Sequence, residues 1–217
     1  MVLIQTSSIE KKDNLSVYNL NYPIIKSDNK KNIINNINER IYEDIISFKA
    51  SIEDILDIIP IKNKCLSCIN TDYYISYNNN DIISIPIEFS QIDGLYNISY
   101  INSYNYDINL EKEITLEDIF DPTIDYINLI ANKIENKIKK LSKDLSIDKY
   151  IMLLDYLKDI VLSDNPTFYI DNEGIIICFS SYELDPTIYD ISTFKIYFNE
   201  DRKYLSKYII DKVVDIF

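Results

Sequence analysis

The sequence predicts an α+β protein in which an antiparallel sheet is covered by a long helix and followed by a second, smaller α+β half. Two patterns predict this fold. From residue 72 to 109, apolar and polar residues alternate with a period of two, and from 33 to 59 apolar residues recur at spacings of three and four. The first pattern is typical of strands with one buried face, and the second of an amphipathic helix. A helix of that length needs a sheet to cover, so we expect it to pack on these strands.

The alternating stretch is predicted to form three consecutive strands. Turns rich in Asn, Asp and Gly at 78–81 and 93–94 separate them. The positions of one parity along the three strands are Tyr73, Ile75 and Tyr77, then Ile83, Ile85, Ile87 and Phe89, then Tyr96, Ile98, Tyr100, Tyr104, Tyr106 and Ile108. These side chains are expected to form the buried face of the sheet.

Two further segments complete the first half. The N-terminal residues are β-like, and residues 15–25 form a strand that ends near Pro23. The long helix follows, with Ser27 or Asp28 as a candidate cap and Pro60 as its end. We place the boundary between the halves at a polar turn, which gives domains at 1–110 and 111–217 that pack together.

The second half begins with helices and continues with strands. Thr115 to Asp118 has the form of a capping box, and Asp121 with Pro122 is expected to cap and restart a helix. A further helix is predicted over 147–161. Strands are predicted at 167–171, 175–180 and 192–198, the first two joined by a tight hairpin, and a last helix over 200–216.

Charge and composition exclude several functions. The formal net charge is −13, which disfavours binding to nucleic acid or to an anionic membrane surface but permits a basic partner. The chain has no histidine, so Ser-His-Asp and Cys-His catalytic units and imidazole metal ligands are excluded. No segment has the ligand spacing of a calcium loop. We therefore expect no cofactor, no metal, no membrane span and no enzyme activity.

Two groups of residues are candidate sites. Cys65 and Cys68 form a CxxC motif, which is a possible redox pair, although a helix precedes it and a strand follows, the reverse of a thioredoxin-type site. Two plain thiols or a structural disulfide are the alternatives. Tyrosine is enriched at recognition surfaces, so the second candidate is a partner-binding surface at Asp93, Tyr96, Tyr100, Tyr104 and Tyr106. Packing of half-buried strands is the alternative explanation for these tyrosines.

Several short motifs, taken in order, resemble a known pair of bacterial domains. Tyr22-Pro23 followed by a helix with Ile37-Asn38 resembles the opening of DUF4163, and the hairpin around 74–85 resembles its centre. The segment 113–120, which reads EITLEDIF, resembles the start of the companion domain DUF3298. The segment 168–177 with 182–186 resembles the core of that domain.

The resemblance to DUF4163/DUF3298 implies an α+β fold and a role in binding. Regions of this kind occur in the extracytoplasmic part of the anti-sigma-V factor, which binds lysozyme, and ahead of peptidoglycan deacetylase domains. Our leading hypothesis is therefore a non-catalytic binding or sensor module for a basic protein such as a lysozyme, or for a cell-envelope component. The alternatives are a thiol-redox protein that uses Cys65 and Cys68, and a cytoplasmic structural or regulatory protein without a ligand. The chain shows no signal peptide, whereas the family is often extracytoplasmic.

Overall fold

The computed structural model of the chain describes residues 1–12, 16–27, 29–58, 67–93, 96–141, 166–181 and 192–215. The strands are β1 (Leu3–Lys12), β2 (Ser16–Lys26), β3 (Ser67–Tyr73), β4 (Tyr77–Asn79), β5 (Ile82–Asp93), β6 (Tyr96–Asp107), β7 (Lys112–Glu113), β8 (Thr167–Ile170), β9 (Gly174–Phe179) and β10 (Ser192–Tyr197). The helices are α1 (Lys31–Ile58), α2 (Leu116–Ile119), α3 (Tyr126–Leu141), α4 (Phe198–Asp201) and α5 (Lys207–Ile209). A 3₁₀ turn (Arg202–Tyr204) follows α4, and a π-helical turn (Ile210–Val214) continues α5. The helix predicted over 147–161 lies outside the described residues.

The larger sheet has seven strands in the order β1-β2-β3-β5-β6-β7, and β4 also pairs with β5. Every paired neighbour in this sheet is antiparallel except β2 and β3, which are parallel. This one parallel pair departs from the predicted antiparallel sheet. It arises because α1 lies between β2 and β3 in the chain, and a crossover helix returns the second strand in the same direction.

The face of the larger sheet that lies under α1 is the one that the alternating pattern predicts. In the register of β5 and β6, Ile85 lies opposite Tyr104 and Ile83 opposite Tyr106, so all four side chains share one face. They are buried in one core with the apolar stripe of α1, which includes Ile33, Ile37, Ile41, Ile45 and Phe48. The predicted packing of a long helix on these strands is confirmed.

The first of the three predicted strands is divided in two. Tyr73 pairs with Ile87 at the end of β3, and Tyr77 pairs with Ser84 at the start of β4. Three residues of this strand therefore oppose two of β5, which is the signature of a β-bulge. A bulge reverses the direction of the side chains that follow. As a result Tyr77 lies in the core of the second half, although its position in the alternation predicted the α1 face.

The smaller sheet has three antiparallel strands in the order β10-β9-β8 and packs against the short helices. Gly174 begins β9 at the hairpin, where a Cβ atom would collide with the carbonyl oxygen of Ile196. Only glycine fits at this close approach of two backbones. The core between this sheet and the helices includes Phe120, Ile130, Ile134, Phe168, Ile170, Ile177, Phe179, Phe194, Ile196, Ile209 and Val213.

Two buried polar side chains of the larger sheet hold the edge of the smaller one. β8 is an edge strand, so one row of its backbone groups needs partners from elsewhere. The Asn105 amide donates to the Phe168 carbonyl at 2.8 Å, and the Ile170 N–H donates to Ser84 Oγ at 2.9 Å. Ser84 Oγ in turn donates to Asn105 Oδ1 at 2.6 Å. This Ser84–Asn105 pair fixes the smaller sheet against the face of the larger sheet opposite α1.

Helix α3 begins later than the sequence predicts. The sequence predicts a helix that restarts at Pro122 with Asp121 as its cap, but the Asp121 carboxylate accepts from the Thr123 N–H in a local turn, at 2.9 Å. The helix begins at Tyr126, and the Asp125 carboxylate accepts from the Asn128 N–H at 3.1 Å. Asp125 therefore takes the capping role. The capping box predicted at Thr115 and Asp118 is present at α2.

The predicted last helix is broken in the middle. Leu205 is extended and forms an isolated β-bridge with Phe120, and Ser206 then caps α5 by accepting from the Ile209 N–H. The Ser206 N–H also donates to the Ile119 carbonyl at 2.9 Å. These contacts with the end of α2 replace the helical hydrogen bonds that the apolar spacing predicted. The division into two domains at residue 110 stays a prediction, and β7 from the second of them joins the larger sheet.

We predict that Asn105→Ala lowers the free energy of unfolding by about 3 kcal/mol, because the buried Ser84 hydroxyl loses its acceptor and the buried Phe168 carbonyl loses its side-chain donor. Urea denaturation measures the change. Asn36→Ala, at an exposed position on α1, is the matched control and is expected to change stability by no more than about 0.5 kcal/mol. Equal stability of the two variants would contradict the role assigned to the Ser84–Asn105 pair.

Candidate functional site

A polar cavity of about 440 Å³ lies where α1, the edge of β6 and the start of β8 meet. We call it the β6 groove. Its lining residues are Arg40, Asp44, Asn102, Ser103, Tyr104, Asn105, Glu113, Ile114, Thr115, Leu116, Pro166, Thr167 and Phe168. The residues of α1 lie on one face of the larger sheet, and those of β8 belong to the smaller sheet on the other face. The groove therefore wraps around the edge of β6.

Arg40 and Asp44 supply the α1 side of the groove. They lie one helical turn apart and so project from the same flank of the helix, beside the buried stripe of Ile37 and Ile41. Arg40 Nη1 donates to Glu113 Oε2 at 2.6 Å and to the Tyr106 hydroxyl at 3.0 Å. The charges of Arg40 and Glu113 therefore offset each other within the groove.

Among the described residues, the hydrogen-bond donors to the Asp44 carboxylate are uncharged. The Tyr104 hydroxyl donates to Asp44 Oδ2 at 2.6 Å, and the Asn102 amide lies 3.4 Å from the same oxygen. Burial raises the pKa of Tyr104 well above its usual range, and its hydrogen bond to Asp44 raises that pKa further. Tyr104 therefore stays a neutral donor, and the two described groups that donate to Asp44 carry no positive charge.

The floor of the groove contains a polar atom without a partner. Ser103 Oγ is buried and makes no hydrogen bond to any residue that the structure describes, although Ser103 lines the cavity. The groove thus combines a carboxylate with uncharged donors, an ion pair and a buried hydroxyl. These groups can bind a polar or basic ligand through hydrogen bonds and charge. Within the described ranges, no group of three or more Cys, Asp or Glu residues is arranged to hold a metal ion.

The structure corrects the predicted tyrosine surface. Tyr104 and Tyr106 are only 2% and 6% exposed, and Tyr100 is half-buried and stacked on Phe89 with 5.0 Å between ring centroids. Their rings face α1 because they share the parity of the buried face, so they do not form an exposed platform. The hydroxyls of Tyr104 and Tyr106 do reach Asp44 and Arg40 in the groove.

The other four predicted site residues are described to different extents. Asp93 and Tyr96 end β5 and begin β6, where they pair with each other, but their side chains lie outside the described residues. Cys68 is a half-buried free thiol in β3, and Cys65 lies outside the described residues. The redox pair stays a prediction.

Sequence reasoning missed the residues that line the groove. The sequence motifs single out none of Arg40, Asp44, Ser103 and Glu113 as site residues. The one available signal was the spacing of Arg40 and Asp44, which places two charges on one flank of an amphipathic helix. No local pattern indicates that this flank meets Glu113, which lies 73 positions from Arg40 in the chain.

The described part of the second half combines α2 to α5 with the three-stranded sheet β10-β9-β8. Residues 117–199 match a family model, DUF3298. Its description is "Protein of unknown function (DUF3298)". The DUF3298 match begins in α2 and ends in α4. It supports the DUF3298 part of the resemblance, whereas DUF4163 stays a prediction. No curated protein matches the chain.

Two crystal structures of DUF3298 family proteins are similar to the whole chain. The protein from Bacteroides fragilis NCTC 9343 is 14% identical with a TM-score of 0.63, and the match covers 99% of this chain and 97% of that one. The protein from Pseudomonas aeruginosa PAO1 is 12% identical with a TM-score of 0.66, and the match covers 96% of each chain. At these identities the similarity shows a shared fold. Separately, none of the described helices combines the length and apolar character needed to cross a membrane.

We predict that Tyr104→Phe reduces the loss of stability at alkaline pH. The pKa of Tyr104 is raised in the folded protein, so above about pH 10 the unfolded chain releases this proton while the folded chain keeps it. The stabilisation linked to this group is therefore complete below about pH 10 and is lost as pH rises further. Urea denaturation between about pH 9 and 11 measures the slope for both proteins. Equal slopes would contradict the prediction.

Proposed function

We propose that this protein is a non-catalytic binding or sensor module that takes a basic protein partner into the β6 groove. The observation that carries the proposal is Asp44, a groove carboxylate whose hydrogen-bond partners, Tyr104 and Asn102, are neutral. The net charge of −13 also supports a basic partner, because opposite charges increase the rate of encounter.

The groove chemistry supports recognition more than reaction. Glu113 is engaged by Arg40, and Asp44 by Tyr104, so each carboxylate already accepts a short hydrogen bond. The hydroxyls of Tyr104 and Tyr106 have raised pKa values, chiefly because the rings are buried, and a phenol with a raised pKa is a poor general acid or base near neutral pH. Fixed donors and acceptors of this kind orient a ligand.

The sequence resemblance suggests which partners to test first. The DUF3298 match concerns a family of unknown function. Beyond that match, the order of the sequence motifs resembles regions of the anti-sigma-V factor and of peptidoglycan deacetylases. A lysozyme is a basic protein, so it fits both the charge of this chain and that resemblance. A cell-envelope component is the second partner class that the resemblance favours.

Binding to a panel of lysozymes and to purified peptidoglycan fragments tests the proposal. We predict that one member of the lysozyme panel binds, and that Asp44→Asn weakens this binding about tenfold, a change of about 1.4 kcal/mol. Isothermal titration calorimetry at two salt concentrations measures both effects, and binding is expected to weaken at higher salt.

Glu43→Gln is the matched control. Glu43 is the neighbour of Asp44 on α1 and is exposed outside the groove, so this substitution removes one negative charge without altering the site. We expect it to change affinity by less than about twofold. Absence of binding to every member of the panel, or equal effects of the two substitutions, would contradict the proposed function.

A further inference from the structure

The backbone hydrogen bonds along the outer edge of β6 indicate how a partner binds. β7 covers the end of this edge, since the Ile114 N–H donates to the Asn105 carbonyl at 2.8 Å. Ser181 covers another point, because its N–H donates to the Ser99 carbonyl and its hydroxyl accepts from the Ser99 N–H, both at 2.8 Å. Ile101 and Ser103 lie between these two covered points.

The backbone groups of Ile101 and Ser103 point away from β5. Along a strand, N–H and C=O groups point to alternate sides at successive residues. Ser99 and Asn105 both hydrogen-bond on the side away from β5, so Ile101 and Ser103, which have the same parity, point outward as well. Ile108 has the opposite parity, and its N–H donates to the Asp81 carbonyl on the side of β5.

Within the part of the chain that the structure describes, no backbone hydrogen bond engages the outward groups of Ile101 and Ser103. Ser103 lines the β6 groove, where its Oγ atom is also without a partner. Unpaired edge groups are a template for pairing with another strand. The outer edge of β8 differs, because Ser84 and Asn105 of the same chain hydrogen-bond its Ile170 N–H and Phe168 carbonyl groups.

We propose that an extended, basic segment of a partner protein adds to the larger sheet as a strand along β6. Its backbone hydrogen-bonds the N–H and C=O groups of Ile101 and Ser103, and a lysine or arginine side chain reaches Asp44. The inference rests on the proposed function for the identity of the groove and for the charge of the partner. It adds the mode of recognition, in which main-chain pairing supplies affinity and alternate side chains supply specificity.

The two walls of the groove determine the sequence pattern of the partner segment. Successive side chains of a strand point to opposite faces of the sheet. One set would face α1 and Asp44, and the other would face Pro166, Thr167 and Phe168 on the side of β8. The segment should therefore alternate basic and apolar residues. The distance from Ser99 to Asn105 is about 20 Å for six residues of strand, which leaves room for about five residues of partner between the two covered points.

Amide hydrogen exchange measured by NMR, with a probe peptide, tests the proposal. The probe is a seven-residue peptide of alternating lysine and valine with blocked ends, added up to about 1 mM. Without the peptide, the N–H groups of Ile101 and Ser103 are expected to exchange at least tenfold faster than those of Asn102 and Tyr104, which point toward β5. With the peptide, exchange at Ile101 and Ser103 should slow at least tenfold, while Asn102 and Tyr104 serve as internal controls.

Two control peptides separate strand pairing from charge attraction. The first control is the lysine peptide with N-methyl groups on alternate residues, made in two versions that methylate the odd or the even positions. Both versions keep the charge but lose half of the backbone donors. At least one version should bind at least tenfold more weakly than the unmethylated peptide. A peptide of alternating glutamate and valine should bind at least tenfold more weakly because of Asp44. The variant Asp44→Asn should weaken binding of the lysine peptide, while Glu43→Gln should not.

The outcomes distinguish failure of this inference from failure of the proposed function. Unchanged exchange at Ile101 and Ser103, equal binding of the methylated peptides in both registers, or no binding of the lysine peptide would each overturn strand addition. The proposed function would still stand if a lysozyme bound and Asp44→Asn weakened that binding. Protection at Ile101 and Ser103 together with loss of binding on N-methylation supports the inference.

Discussion

The contact between Ser84, Asn105 and the edge of β8 is the interaction on which the rest of the structure depends. It joins two sheets that have separate cores, one under α1 and one under the short helices. Ser84 and Asn105 are almost fully buried, and each makes hydrogen bonds with a partner of suitable geometry. A buried polar network of this kind specifies one relative position of the sheets, because any shift leaves its members without partners.

The β6 groove is a consequence of that arrangement. With α1 on one face of the larger sheet and β8 on the other, the edge of β6 lies between two walls. The walls differ in chemistry, since α1 contributes Arg40 and Asp44 and the other side contributes Pro166 and Phe168. A groove of this form suits a ligand with two different faces, and the negative charge of Asp44 favours a basic one.

Much of the fold was predictable because it depends on local periodicity. The spacing of isoleucines identified α1, and the alternation in β5 and β6 identified which side chains lie beneath it. The predictions failed where distant contacts override local preference. Leu205 leaves the helical pattern to bridge Phe120, and Tyr77 changes faces because the bulge before it adds one residue. Asp121 caps a local turn at Thr123 instead of a helix, and its own N–H donates to the Tyr204 carbonyl, far along the chain.

The sequence by itself determined the α+β class, the acidic charge and the absence of histidine chemistry, because composition and periodicity are properties of the chain alone. It also determined that Tyr104 and Tyr106 share the buried face, although their exposure was misjudged. The β6 groove, in contrast, is a product of the tertiary structure alone. Parity shows which face a side chain occupies but not which distant residue it meets, and the pair of Arg40 with Glu113 and the open edge at Ser103 exist only once α1, β6 and β8 have come together.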